Sequence, residues 1–126
     1  MTSRISALAL DAHDPPALAQ FWCQALDYVV TEVDSAGVRI ESRSPDLGLI
    51  PIDLAQVPDD KVVKNRLHLD LRADHSDQAA EVERLESLGA TRVDIGQGPD
   101  VSWVVLADPE GNEFCVLSRS VQDVET

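Results

Sequence analysis

The chain has 126 residues, enough for one domain with a real core but too few for two ordinary ones. Hydrophobic residues make up 44% and charged residues 26%, a globular composition with no apolar run long enough to cross a bilayer. The formal net charge is −13, and of the ten Lys and Arg only Lys61, Lys64 and Arg66 cluster, which argues against nucleic acid and anionic membrane surfaces as partners.

The N-terminus runs directly into a strand-like alternation without the apolar core of a secretion signal, so a cytoplasmic setting is expected. Cys23 and Cys115 lie far apart and outside any C-x-x-C motif, which suits reduced thiols. Ile5 to Asp11 alternates and predicts a first strand, with Leu8 and Leu10 on one face and Ala7, Ala9 and Asp11 on the other. Asp14-Pro-Pro16 then opens a helix: the carboxylate caps free amides, and proline is tolerated where its missing N–H has no partner. Leu18, Phe21, Trp22, Ala25 and Leu26 form its apolar stripe, and Asp27 takes the closing position usually given to glycine. Tyr28 to Val33 and Val38 to Glu41 predict strands around an Asp34-Ser-Ala-Gly37 turn. Leu47 to Leu54 predicts a third strand, with Pro51 at an edge or bulge. The polar segment Gln56 to Val63 is a connecting loop and the best linker candidate, though too short to separate independent domains.

Asn65 to Ala73 predicts the central strand. Leu67, Leu69 and Leu71 alternate with Arg66, His68, Asp70 and Arg72, and four ionisable groups on one face suggest the wall of a polar cavity. Ser76 or Asp77 caps a second helix with Ala79, Val82, Leu85 and Leu88 inward and Gly89 as its stop. Thr91 to Ile95 predicts a strand and Gly96 to Asp100 a loop. Trp103 to Ala107 and Glu113 to Leu117 predict a strand pair around the tight turn Asp108-Pro-Glu-Gly-Asn112. Residues Val121 to Thr126 are expected to fray.

Strand, helix and three strands therefore occur twice. Ala7 aligns with His68, Leu8 with Leu69, Leu10 with Leu71 and Ala12 with Ala73; after one inserted residue Leu26 aligns with Leu88. The expected fold class is α+β: two tandem βαβββ modules, about 4–55 and about 64–119, whose curved mixed sheets surround a cleft.

Four stretches carry a resemblance: Asp14-Pro-Pro-Ala-Leu-Ala-Gln-Phe-Trp22, Lys64-Asn-Arg-Leu-His-Leu-Asp-Leu71, Gly89-Ala-Thr-Arg-Val93 and Val105-Leu-Ala-Asp-Pro-Glu-Gly-Asn-Glu-Phe-Cys-Val-Leu117. On these the chain resembles the vicinal oxygen chelate superfamily, which includes glyoxalase I, bleomycin-resistance proteins and extradiol dioxygenases. It is most similar to the short glyoxalase-like domain proteins common in actinobacteria. The resemblance implies a cleft for a small-molecule ligand and a homodimer. In metal-dependent members the ligands come from the first strand of each half and the last strand of the chain, often His, His or Gln, and Glu. Carried over residue by residue, those positions are Ala7, His68 and Cys115. Ala7 cannot bind metal, and a thiol does not replace a hard carboxylate. No cofactor is therefore expected, and His68 is the residue that would hold a divalent metal.

His68 and Asp70 are the candidate catalytic pair, since an imidazole or a carboxylate can give or take a proton. Arg66, Trp103, Cys115 and Asp11 are the candidate ligand-binding residues: Arg66 as an anion contact, Trp103 with Cys115 and Leu117 as an apolar wall, Asp11 as a carboxylate on the face of Ala7. The competing readings are structural: His68 tied to Asp70 or a neighbouring arginine in a polar ladder, Cys115 as a small buried thiol, Asp11 exposed, and Trp22 as helix-face core. The expected function is binding, with turnover left open, of a small organic molecule without the usual metal triad. The alternatives are a metal-dependent lyase, isomerase or dioxygenase, and a non-catalytic drug-sequestering protein.

Overall fold

The duplicated order is realised twice in the computed structural model, which describes residues 1–125. The chain divides into two units, the first ending at Asp60 and the second beginning at Lys61, inside the polar loop predicted as the connector.

The first unit contains β1 (Leu8–Ala12), α1 (Pro15–Leu26), β2 (Tyr28–Asp34), β3 (Gly37–Ser42) and β4 (Ile52–Gln56). Its sheet order is β1-β4-β3-β2, with β1 parallel to β4 and the other pairs antiparallel. Asp14 caps α1 by accepting from the Ala17 amide at 3.3 Å. Asp27 ends it in the left-handed conformation, as the sequence predicted. Leu18, Phe21 and Trp22 are buried with Val38, Ile40, Ile52 and Leu54, so the apolar stripe of α1 and one face of β3 and β4 make the core. Phe21 and Trp22 meet edge to face at 5.0 Å between ring centroids. Asp34 Oδ1 accepts from the Ala36 and Gly37 amides and closes the predicted hairpin turn.

The strand predicted from Leu47 is corrected. Pro45–Leu47 forms a 3-10 turn, Gly48 is left-handed, and β4 begins only after Pro51. Proline supplies no ladder donor and keeps Ile50 out of the preceding pairing. Only the Pro51 carbonyl joins, accepting from the Leu8 amide at 2.9 Å. The same contact fixes the start of β1 at Leu8 instead of Ile5.

The second unit contains β5 (Asp70–Leu71), α2 (Gln78–Leu88), β6 (Thr91–Arg92), β7 (Val104–Ala107), β8 (Glu113–Val116) and α3 (Val121–Glu125). Its sheet order, β5-β8-β7-β6, repeats that of the first unit, including the parallel pair β5–β8. Asp77 caps α2 by accepting from the Ala80 amide at 2.8 Å, and Gly89 ends it. Val82 and Leu85 are buried as predicted, but Ala79 is exposed and Glu81 is buried in its place. Glu81 is tolerated there because Arg84 grips both its carboxylate oxygens at 2.7 and 2.8 Å.

The central strand is also corrected: two residues pair, not nine. Asp70 lies opposite Cys115 in parallel register, so residues before His68 run alongside the Asp108–Asn112 turn, where there is no strand to pair with. Ladder bonds extend only to the carbonyls of Leu69 and Leu71, which accept from Cys115 and Leu117. Upstream, side chains replace the ladder: Asn65 N donates to Glu113, Asn65 Nδ2 to Asn112, and Lys61 to Glu113. Leu67, predicted to share one strand face with Leu69 and Leu71, is consequently 86% exposed. β6 is likewise shorter than predicted, ending at Arg92 with one further bond from Val93 to Val105.

The tail predicted to fray is held by α3. Val121 N donates to Ala73 O, and Gln122 bridges Asp74 and the His75 amide. Thr126 lies outside the described residues. Among the described residues, no helix is long and apolar enough to cross a membrane.

Candidate functional site

Parallel register between β5 and β8 makes Asp70 and Cys115 direct cross-strand partners, with side chains on one face. His68, two residues before Asp70, projects to the same side. Its Nδ1 lies 3.7 Å from Cys115 Sγ and 3.6 Å from Asp70 Oδ1. Cys115 is buried, and His68 and Asp70 are exposed.

These three form the polar end of a half-open pocket of about 400 Å3. Ile95, Trp103 and Leu117 supply the apolar wall, and Gly96 and Gln97 complete the lining. The wall is held from behind. Gln78, at the start of α2, donates to the carbonyls of Ser102 and Val116 at 2.8 and 3.0 Å, tying the approach to β7 to the end of β8. The 94–97 loop is closed on itself: Gly96 N donates to Asp94, and Ile95 N to Gln97 Oε1.

Burial pushes the Cys115 thiol above its ordinary range, the Asp70 charge adds to this, and Lys64 offsets only part. Cys115 is therefore a protonated thiol at neutral pH and a weak nucleophile. On the same strand Glu113 behaves oppositely. Burial acts to raise it, but the hydrogen bond from Lys61 at 2.6 Å and the Asn65 amide outweigh that and hold the carboxyl below its usual range.

Of the residues singled out in the sequence, His68, Asp70, Trp103 and Cys115 come together here, with Leu117 completing the expected apolar wall. Arg66 does not line the pocket; it is exposed on the stretch that fails to pair. Asp11 is exposed on β1 of the first unit. His13 and His75 sit in exposed loops near Asp60 and Asp74, in keeping with solvated loop histidines. Trp22 is buried core. Ile95 ends the predicted Thr91 to Ile95 strand with nothing to mark it as pocket wall, and Gly96 and Gln97 fall in a segment that reads as a connector; the signal there is Gly96-Gln-Gly98 directly after the alternating stretch.

A hard divalent ion held by Ala7, His68 and Cys115 does not fit these residues. Ala7 has no donor atom, and a protonated, buried thiol is a poor ligand for an oxygen-seeking cation. The structure adds a donor that strand alignment did not bring forward as a ligand: Asp70, within 4.8 Å of both other donor atoms.

A family model described as "Glyoxalase-like domain" matches residues 7–117. Solved structures share the fold at low identity. Fosfomycin resistance protein FosX from Listeria monocytogenes, complexed with Mn(II) and sulfate ion, is 14% identical, with 98% of this chain and 95% of that chain covered and a TM-score of 0.72. FosX from Mesorhizobium loti is 12% identical over 100% of both chains, TM-score 0.69. A glyoxalase/bleomycin resistance protein/dioxygenase family enzyme from Burkholderia phytofirmans PsJN is 18% identical, covering 90% of this chain and 97% of that chain, TM-score 0.66. No curated protein matches the chain.

Proposed function

The chain belongs to the glyoxalase-like domain family of the vicinal oxygen chelate superfamily, and from that premise we propose that its second unit binds a small amphipathic organic molecule. The observation that carries this reading is the convergence of His68, Asp70, Cys115 and Trp103 on one pocket. A volume of about 400 Å3 suits a small metabolite, not a polymer. The apolar part of the ligand lies against Trp103, Ile95 and Leu117. Its polar end meets His68 and Asp70, which offer an imidazole that can donate or accept and a carboxylate that accepts. Any turnover falls to the same pair as proton donor and acceptor, since the Cys115 thiol is poorly placed on its proton affinity to attack. Drug sequestration has less support, because among the described residues Trp103 is the one Phe, Tyr or Trp in the pocket wall. A homodimer is part of the proposal and rests on the family alone.

The test uses the two tryptophans, which fall one in each unit. In a Trp22→Phe background, emission reports Trp103, and a panel of small amphipathic metabolites can be screened against it. Binding should shift that emission, and His68→Ala should weaken it by about 10- to 100-fold, the loss of one hydrogen-bonding partner. Ligands that bind His68→Ala as tightly as the parent would sink the assignment. Native mass spectrometry of the same sample reads the oligomeric state.

A further inference from the structure

We propose that His68, Asp70 and Cys115 form a binding site for a thiophilic divalent ion, Zn2+ by donor chemistry, with a fourth position open to the pocket. This goes beyond the organic-ligand reading and does not depend on it. The set also differs from the one the family resemblance implied, since Asp70 supplies the third donor and all three lie in one unit.

The distances support it. Tetrahedral zinc holds nitrogen and oxygen at about 2.0–2.1 Å and thiolate sulfur at about 2.3 Å, so neighbouring donor atoms stand about 3.3–3.6 Å apart. The His68–Cys115 and His68–Asp70 separations are 3.7 and 3.6 Å. Two edges of the tetrahedron are thus nearly formed. The third closes by rotating the Asp70 carboxylate, whose side chain is 54% exposed and free to turn. The backbone need not move, because Asp70 and Cys115 are already register partners in the ladder.

Donor type then selects the ion. One thiolate, one imidazole and one carboxylate suit zinc; magnesium and calcium prefer all-oxygen shells. Two negative donors and a neutral imidazole balance a double positive charge, which removes the cost of gathering them in a half-buried place. Loading requires one balanced step: the Cys115 S–H bond breaks, its proton leaves to solvent, and the Zn–S bond forms with no change in oxidation state. Three protein ligands facing a pocket leave the fourth position to water or to a donor atom of a pocket ligand, the pattern of reactive zinc sites.

The test is titration of chelator-treated, full-length protein with the metal alone. Calorimetry with Zn2+ should show one ion per chain. Co2+ should give a thiolate-to-cobalt charge-transfer band in the near ultraviolet with the intense visible bands of tetrahedral coordination. Cys115→Ser should abolish the charge-transfer band and weaken zinc binding by about 100-fold or more, and Asp70→Asn and His68→Ala should each weaken it by about 10-fold or more. Asp70→Asn changes an exposed side chain, so it serves as the folded control if Cys115→Ser destabilises the unit. Absence of stoichiometric binding, cobalt binding without the charge-transfer band, or zinc affinity unchanged in Asp70→Asn would each overturn the proposal. The Trp103 screen, run without metal, reports on the organic-ligand reading separately.

Discussion

Glu113→Gln should destabilise the second unit by about 2–3 kcal/mol, a figure that follows from how far its ion pair with Lys61 is removed from water. Exposed pairs contribute about 0–1 kcal/mol, whereas removing one partner of a buried pair costs about 3–5. The Glu113 and Lys61 side chains are 10% and 16% exposed and 2.6 Å apart, which places them near the lower edge of the buried case. Glutamine keeps an acceptor for the Asn65 amide but leaves the Lys61 ammonium without a counter-charge. Lys61→Met in the Glu113→Gln background should therefore recover part of the loss. Urea denaturation followed by Trp103 emission, in the Trp22→Phe background, reads the second unit directly. The pH dependence has a definite sign. Burial works against the Glu113 charge, but Lys61 and the Asn65 amide prevail and hold its carboxyl below the ordinary range in the folded protein. The stabilisation is thus complete above the ordinary glutamate range and is lost as pH falls through the folded value. The difference between wild type and Glu113→Gln should shrink on acidification. A midpoint change equivalent to less than about 0.5 kcal/mol near neutral pH, the scatter of ordinary surface substitutions, would refute the reasoning. So would a gap that stays constant into acid.

Two further outcomes test the corrected packing and the state of the thiol. Leu67→Ser should change stability by no more than about 0.5 kcal/mol, because Leu67 is 86% exposed. Leu85→Ala, at a fully buried position, should cost about 2–5 kcal/mol; equal losses in the two denaturation curves would restore the long central strand. Alkylation of Cys115 by iodoacetamide, followed by peptide mass spectrometry, should be slower in the folded protein than in urea. Its rate should climb with an inflection above the ordinary thiol range, and Asp70→Asn should lower that inflection. A folded-state rate at neutral pH equal to the rate in urea would contradict a buried, protonated thiol.

The α1 cap at Asp14, the unusual left-handed stop at Asp27, the Asp34–Gly37 turn and the twofold βαβββ order were all legible in the sequence, because each follows from local chemistry or a repeated pattern. Pairing length was not. The alternation around Leu67 is a good strand signal, but a strand needs a neighbour. Parallel register with β8 ends that neighbour at Glu113, a fact set by residues nearly fifty positions away. The predicted strand at Leu47 fails for a nearer reason: Pro51 stands before the strand and not at an edge or bulge within it. Period-two reasoning placed His68 and Asp70 on one side, and the apolar wall of Trp103, Cys115 and Leu117 followed the same way. The Gly96 and Gln97 contribution was invisible because a loop carries no periodic signal.

The repeated sheet also explains why the second unit, and not the first, carries the reactive cluster. Equivalent register positions form a row across three strands in each unit. In the first the row reads Arg39, Asp53, Ala9; in the second it reads Val105, Cys115, Asp70. Asp53 is held by Arg39 at 3.1 Å, so that row is a closed ion pair whose charge is spent within the sheet. In the second row the arginine position is Val105, which is buried and cannot neutralise anything. The acid has moved one strand over, and the middle position has become a thiol. Asp70 consequently faces His68 and Cys115 in place of a guanidinium, and its charge acts on the thiol. Restoring the first unit's row in the second by Val105→Arg, Cys115→Asp and Asp70→Ala should replace the pocket's polar end with an internal ion pair. Ligand and metal binding at that end should then fall together.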